Sequence, residues 1–217
     1  MARLNPDVLR LYLVTDQALT GGRPLAEVVA AAVQGGVTCV QLREKQADTR
    51  EFLAQALLLK ELLAPYAVPL VINDRIDIAL ACGAHGVHLG QSDMPVEVAR
   101  RLLPSEVFIG WSVESRDDVV RSASLPVDYL GVSPVFSTPT KTDTKQPWGL
   151  TGLAQVRSAT RLPLVAIGGI GLGNAQQVLQ AGADGLAVVS ALCSAASPRQ
   201  VAAALRAVCD TTRVDLP

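Results

Sequence analysis

Aromatic side chains are scarce: phenylalanine, tryptophan and tyrosine make up 4% of the 217 residues. That leaves too few rings for the stacking platforms on which single-stranded nucleic acid is held. An excess of charge of one sign is missing as well. Nineteen basic residues stand against twenty acidic ones, a net charge of −1, so no broad field recruits DNA, RNA or an anionic membrane. Any anion must be bound locally. No stretch reaches the roughly 18 uninterrupted apolar residues of a membrane span. The start, Met1-Ala2-Arg3-Leu4-Asn5-Pro6-Asp7, lacks the apolar heart of a secretion signal. The expectation is a cytoplasmic protein with neither nucleic acid nor membrane as a partner; a homo-oligomer is left open. Histidines number two, His85 and His88, and Cys39, Cys82, Cys193 and Cys209 are scattered without a C-x-x-C pair. Closely spaced zinc ligands are therefore absent, and the cysteines read as reduced, buried thiols. Neither histidine has the partner pattern of a catalytic triad, so both read as packed or capping side chains.

What is present is a chain that is 49% hydrophobic, with 17 glycines and 13 prolines, the composition of an α/β protein built on Val, Leu, Ile and Ala. Short runs rich in β-branched residues, at 11–15, 38–43, 70–73, 86–89, 107–111, 129–132, 164–167 and 185–189, alternate with stretches of helical periodicity. Asp48 is placed to cap a helix whose apolar stripe is Phe52, Leu53, Ala56 and Leu57, and Pro65 ends it. Gln34-Gly35-Gly36-Val37, Ala81-Cys82-Gly83-Ala84 and Gln180-Ala181-Gly182-Ala183 repeat a glycine where a helix stops and a strand begins. Eight such units predict one (β/α)8 TIM barrel spanning residues 1–217, with short extensions at both ends. The rival, a doubly wound open sheet, lacks its glycine signature after the first strand: Gly21-Gly22-Arg23-Pro24 is no G-x-G-x-x-G.

A barrel of this kind demands polar chemistry at the C-terminal ends of its strands, and the sequence supplies it. Ile167-Gly168-Gly169-Ile170-Gly171 and Val188-Val189-Ser190-Ala191 end the last two strands at small residues, where backbone N–H groups can approach a phosphate. Simple turn glycines are the plainer alternative. Asp74 and Asp93 end the third and fourth strands and could share one magnesium ion, which takes one or two carboxylates plus waters and substrate oxygens. Loop-forming and capping aspartates are the alternative. Gln41, Arg43 and Lys45 alternate along one strand and should face the barrel mouth, where cations require an anion. An internal salt bridge to Glu44 or Asp74 competes with that reading. Finally, Pro134-Val135-Phe136-Ser137-Thr138-Pro139-Thr140-Lys141 opens a segment with four threonines and two lysines by residue 149. It is longer than a plain connector and could close over an anionic ligand as a lid; a disordered linker is the alternative.

Taken in order, Gln41-Leu42-Arg43-Glu44-Lys45, Val71-Ile72-Asn73-Asp74, Gly86-Val87-His88-Leu89-Gly90-Gln91-Ser92-Asp93, Gly110-Trp111-Ser112, Pro134 through Lys141, Gly168-Gly169-Ile170 and Val189-Ser190 resemble the thiamine phosphate synthase family. The likeness runs from about Leu11 to the last helix. The resemblance implies a magnesium-dependent transferase that joins 4-amino-2-methyl-5-(diphosphooxymethyl)pyrimidine to a thiazole phosphate, releasing diphosphate by a dissociative route. By the same similarity Asp74 and Asp93 bind a single magnesium ion. Gln41, Leu42, Arg43, Glu44, Lys45, Asn73, Ser112 and Lys141 line the pyrimidine diphosphate site, with Arg43, Lys45, Ser112 and Lys141 as its catalytic members. Thr138, Pro139, Thr140, Gly169, Val189 and Ser190 hold the thiazole phosphate. Ser133 departs from the family, which more often has glycine there. The alternative is a related barrel, a thiazole tautomerase, whose proton transfer needs a base but no diphosphate site. A Schiff-base aldolase using Lys45 or Lys141 and a non-catalytic phosphate binder are further rivals.

Overall fold

In the computed structural model, which describes residues 4–138 and 146–212, eight parallel strands close into a barrel in chain order. They are β1 (Leu11–Val14), β2 (Cys39–Leu42), β3 (Leu70–Asn73), β4 (Gly86–Leu89), β5 (Phe108–Val113), β6 (Tyr129–Val132), β7 (Leu164–Ile167) and β8 (Gly185–Val188). Each predicted strand is present, its ends shifted by no more than two residues. Around them run α1 (Leu25–Gln34), α2 (Thr49–Leu63), α3 (Ile76–Cys82), α4 (Val96–Leu102), α5 (Arg116–Ser122), α6 (Gly149–Ala159), α7 (Ala175–Gln180), the short α8 (Ser190–Cys193) and α9 (Pro198–Thr211). Helix starts follow local chemistry. Asp48 accepts from the Glu51 N–H at 2.9 Å to open α2, and Ser115 does the same for α5 with Asp118.

Because side chains alternate across a strand, the sheet sorts its residues into two layers. Leu11, Leu13, Val40, Leu42, Leu70, Ile72, Val87, Ile109, Leu130 and Leu186 point outward into the main core between sheet and helices. Inward go Tyr12, Val14, Cys39, Val71, Tyr129, Val165 and Ala187. This inner core makes room for rings by placing glycine one or two strands away. A Cβ on Gly110 would lie 2.0 Å from the Tyr129 ring, and one on Gly131 would lie 2.9 Å from His88 Cε1.

One expectation needs correction. Arg43 and Lys45 do not continue β2: the Arg43 N–H turns to the Thr15 hydroxyl at 3.0 Å rather than to a neighbouring backbone, so the ladder stops at Leu42. Both side chains nonetheless reach the mouth of the barrel. All four cysteines are buried and unpaired, and burial pushes the thiols of Cys193 and Cys209 up to about 11. Such thiols are protonated and inert near neutral pH.

Candidate active site

At the C-terminal ends of the strands the barrel opens into a cavity of about 670 Å³. One wall carries Gln41 on β2, Arg43 and Lys45 just after it, Asn73 and Asp74 at the end of β3, Asp93 after β4 and Ser112 on β5. The facing wall carries Thr138, Gly169, Val189 and Ser190. The two walls thus hold eleven of the residues singled out in the sequence. Leu42 and Glu44 are not among them. Strand alternation sends Leu42 into the outer core with no exposed surface, and the Glu44 carboxylate accepts from the Gln46 N–H at 3.1 Å. Pro139, Thr140 and Lys141 lie outside the described residues.

Asp74 occupies the left-handed region at φ +62°, uncommon for any residue with a Cβ. Its N–H donates to the His88 carbonyl at 2.9 Å, which turns the carboxylate toward the cavity, where Lys45 Nζ meets Oδ2 at 2.8 Å. The ion pair considered as the alternative role for Lys45 is therefore present. It is not buried: the lysine side chain is 55% exposed. Asp93 comes in from the next loop, its Oδ2 accepting from the Gly90 N–H at 2.6 Å, and the two carboxyls hydrogen-bond to one another. Burial raises the Asp93 carboxyl, and its bond to Asp74 raises it further. At Asp74 the penalty of burial is outweighed by hydrogen bonds from Asp93 and Lys45, which hold it below the ordinary range. The two carboxyls lie close enough to shift one another in opposite directions, and two acidic side chains brought together at one rim of the cavity are a place where a divalent cation can offset their repulsion. Magnesium is suited to such a sparse pair, completing its shell with water and substrate oxygens. Among the described residues no cluster of three or more His, Cys, Asp or Glu forms a fuller metal cage.

The interior of the same wall was not legible in the sequence. Gln41 Nε2 donates to the Tyr12 hydroxyl at 3.0 Å, Tyr12 and Tyr129 share a bond of 3.1 Å, Tyr129 reaches His88 Nδ1 at 2.8 Å, and His88 Nε2 meets Ser112 Oγ at 2.9 Å. This chain crosses from β2 through β1, β6 and β4 to β5. Burial raises both phenols well above 10, so each remains a neutral donor and acceptor. Their only sequence signal was a phenol inside an apolar strand, a group that needs a partner when buried.

On the facing wall Gly168 and Gly169 take φ of +106° and +64°. A Cβ on Gly168 would lie 2.7 Å from that of Pro134, and one on Gly169 would lie 2.9 Å from the Ser137 carbonyl. Glycine is thus required both by conformation and by the close pass of the segment after β6. That segment is fastened: Val135 and Phe136 donate to Ile167 and Gly168 at 2.8 and 3.0 Å, and Trp148 and Gly149 return to Pro134 and Val135 at 2.9 Å each. Asn174 braces the next turn, accepting from Gly171 N–H and donating to the Gly169 carbonyl, both at 2.9 Å. Among the described residues the N–H groups of Gly169 and Ser190 have no acceptor and border the cavity.

Residues 11–192 match the family model described as thiamine monophosphate synthase. A thiamine-phosphate synthase of Albidiferax ferrireducens is 76% identical over 202 residues, covering 93% of this chain and 92% of the relative. One from Leptospira biflexa is 51% identical, over 90% of this chain and 95% of its own. Among solved structures, a thiamine phosphate pyrophosphorylase from Pyrococcus furiosus superposes with a TM-score of 0.88 at 39% identity, covering 95% of this chain and 98% of that one.

Proposed function

The chain belongs to the thiamine monophosphate synthase family, and from that premise we propose how its cavity makes thiamine phosphate. The observation that carries the reading is the pairing of two anion sites across one cavity. Cations and a carboxylate pair stand on one wall, and on the other stand backbone donors that lack an acceptor among the described residues. The first wall takes the pyrimidine diphosphate and the second the thiazole phosphate. A tautomerase has no use for the first of these walls.

In this mechanism the bond between the pyrimidine methylene carbon and the diphosphate oxygen breaks first, its electron pair leaving with the diphosphate. The thiazole nitrogen then supplies the pair for the new C–N bond. Arg43 has no carboxylate within ion-pair distance among the described residues. It meets the departing diphosphate together with Lys45, which exchanges its exposed bond to Asp74 for a phosphate oxygen, and with Lys141. Asp74 and Asp93 would hold one magnesium ion, which supplies further neutralisation of diphosphate charge. Gln41, Asn73 and Ser112 orient the pyrimidine. Thr138, Pro139, Thr140, Gly169, Val189 and Ser190 hold the thiazole phosphate so that its nitrogen lies in line behind the leaving group, and positioning supplies the remaining acceleration. No nucleophilic side chain is needed. A single barrel domain in a reducing cytoplasm, where buried thiols persist unpaired, completes the reading.

The test is incubation of the purified protein with both substrates, with magnesium and separately with EDTA, while thiamine phosphate and diphosphate are assayed. Equal amounts of both products, only with magnesium, are expected. Turnover that persists in EDTA would refute the metal assignment, and folded protein without product would sink the synthase reading.

A further inference from the structure

The hydrogen-bond chain inside the barrel has a direction. Gln41 enters it through its amide nitrogen, which can only donate, so the Tyr12 oxygen accepts. If the Tyr12 hydrogen then goes to Tyr129 and the Tyr129 hydrogen to His88 Nδ1, every donor along the line finds an acceptor. In the opposite sense the Tyr12 hydrogen would have, among the described residues, only the Cys39 thiol beside it, and sulfur is a weak acceptor. A buried donor left so poorly paired is costly, and Tyr12 is 1% exposed. The favoured sense leaves Nδ1 of His88 bare and puts its proton on Nε2, which donates to Ser112 Oγ. The serine oxygen is then occupied as an acceptor, and its own hydrogen is released toward the cavity that Ser112 lines.

We infer that Tyr12, Tyr129 and His88 are positioning residues forming a one-way relay, which fixes the His88 tautomer and holds the Ser112 hydroxyl as a donor aimed at the pyrimidine. The inference rests on the synthase reading for the identity of the ligand. The two ends of the relay suit that ligand. Gln41 Oε1, with no partner among the described residues, is an acceptor, and Ser112 is a donor; an aminopyrimidine carries an amino donor and ring-nitrogen acceptors. The glycines at 110 and 131 belong to the device, since their missing side chains are the spaces into which Tyr129 and His88 fit.

Long-range proton–nitrogen correlation spectra of histidine-labelled protein test the relay directly, because the chain has only two histidines and a His85→Gln variant assigns them. The expected result for unliganded wild-type protein is His88 protonated at Nε2 and bare at Nδ1. Tyr129→Phe should lose that pattern, and should raise KM for the pyrimidine diphosphate roughly three- to tenfold, the worth of one hydrogen bond, with KM for the thiazole phosphate unchanged. A purely structural role would move both constants or neither. Protonation of Nδ1 in the wild type would overturn the relay, as would a Tyr129→Phe protein with the original spectrum and unaltered KM. The wild-type spectrum decides even if a variant fails to fold. Protein that shows the Nε2–H tautomer but makes no thiamine phosphate would overturn the synthase reading alone.

Discussion

On the proposed reading, Asp74 concentrates the conflict between stability and function in one residue. Its backbone sits at φ +62°, where a non-glycine residue costs on the order of 1–3 kcal/mol, and its carboxylate is held against that of Asp93. The compensating bond to Lys45 is exposed and is worth little in water. Asp74→Gly should therefore leave the midpoint of urea unfolding within the equivalent of about 1 kcal/mol of wild type, relief of strain offsetting the added freedom of the unfolded chain. Asp74→Asn, which tolerates the same backbone, should behave alike. Turnover of both should fall by about 10²-fold or more, the scale on which a preorganised charge contact acts. A loss of several kcal/mol in stability with turnover intact would make Asp74 a structural residue instead. Residues of this kind could be singled out in the sequence because charge gathers at the ends of apolar runs, where a barrel opens its cavity, although a turn or cap would account for an aspartate there as well. Tyr12, Tyr129 and His88 could not be. Each lies inside an apolar run, and its partner is set by which strands become neighbours, as when β6 lies beside β5 and Tyr129 meets a histidine two strands away.

At the scale of elements, the strands were readable because eight short β-branched runs are bounded by turn residues; the expectation that Leu42 lines the pyrimidine diphosphate site beside Gln41 fails, because alternation turns Leu42 to the opposite face, into the outer core. What alternation did not reveal was the end of β2, where the Thr15 side chain captures an N–H that a strand would have used. Nor did composition show that the first stem of the threonine-rich segment is tied to the end of β7 and the second stem to the first. Gly168 is where that tie is closest. An alanine there would combine φ +106° with a Cβ 2.7 Å from Pro134, and neither the proline ring nor the hydrogen-bonded backbone behind it yields cheaply. Gly168→Ala is expected to lower stability by about 1–3 kcal/mol. It should also raise KM for the thiazole phosphate, the ligand assigned to this wall, while KM for the pyrimidine diphosphate stays within twofold or so. Steady-state kinetics with each substrate varied in turn provides the check. An equal rise in both constants would mean that the stem shapes the whole cavity rather than one side of it.

For the whole molecule, a barrel is complete only when the first strand meets the last, and here the segment entering β1 and the last helix both take part in that closure. β8 pairs with β1 through Leu11, Tyr12 and Leu13, and α9 then folds back over α1. Arg10, just before β1, donates to the Cys209 carbonyl. The closeness of α9 to α1 depends on Gly35, whose absent Cβ would lie 2.3 Å from the Arg199 carbonyl and 2.7 Å from the Ala202 methyl. Its φ of −84° is open to any residue, so an alanine there acts through crowding alone. The sequence marked this glycine only as one of a repeated set of helix ends; that it also serves as a docking surface depends on the last helix returning to the first. Gly35→Ala should lower Tm by about 3–8 °C, the usual consequence of overpacking in a domain of this size. The site, however, lies at the opposite ends of the strands. At a temperature where the variant is fully folded, its kcat and both KM values should match wild type, and its inactivation on heating should begin earlier by the same interval as its unfolding. Kinetic constants that change in the folded variant would show that closure of the barrel is felt at the catalytic rim, and that the clasp between α9 and α1 shapes the cavity as well as the stability.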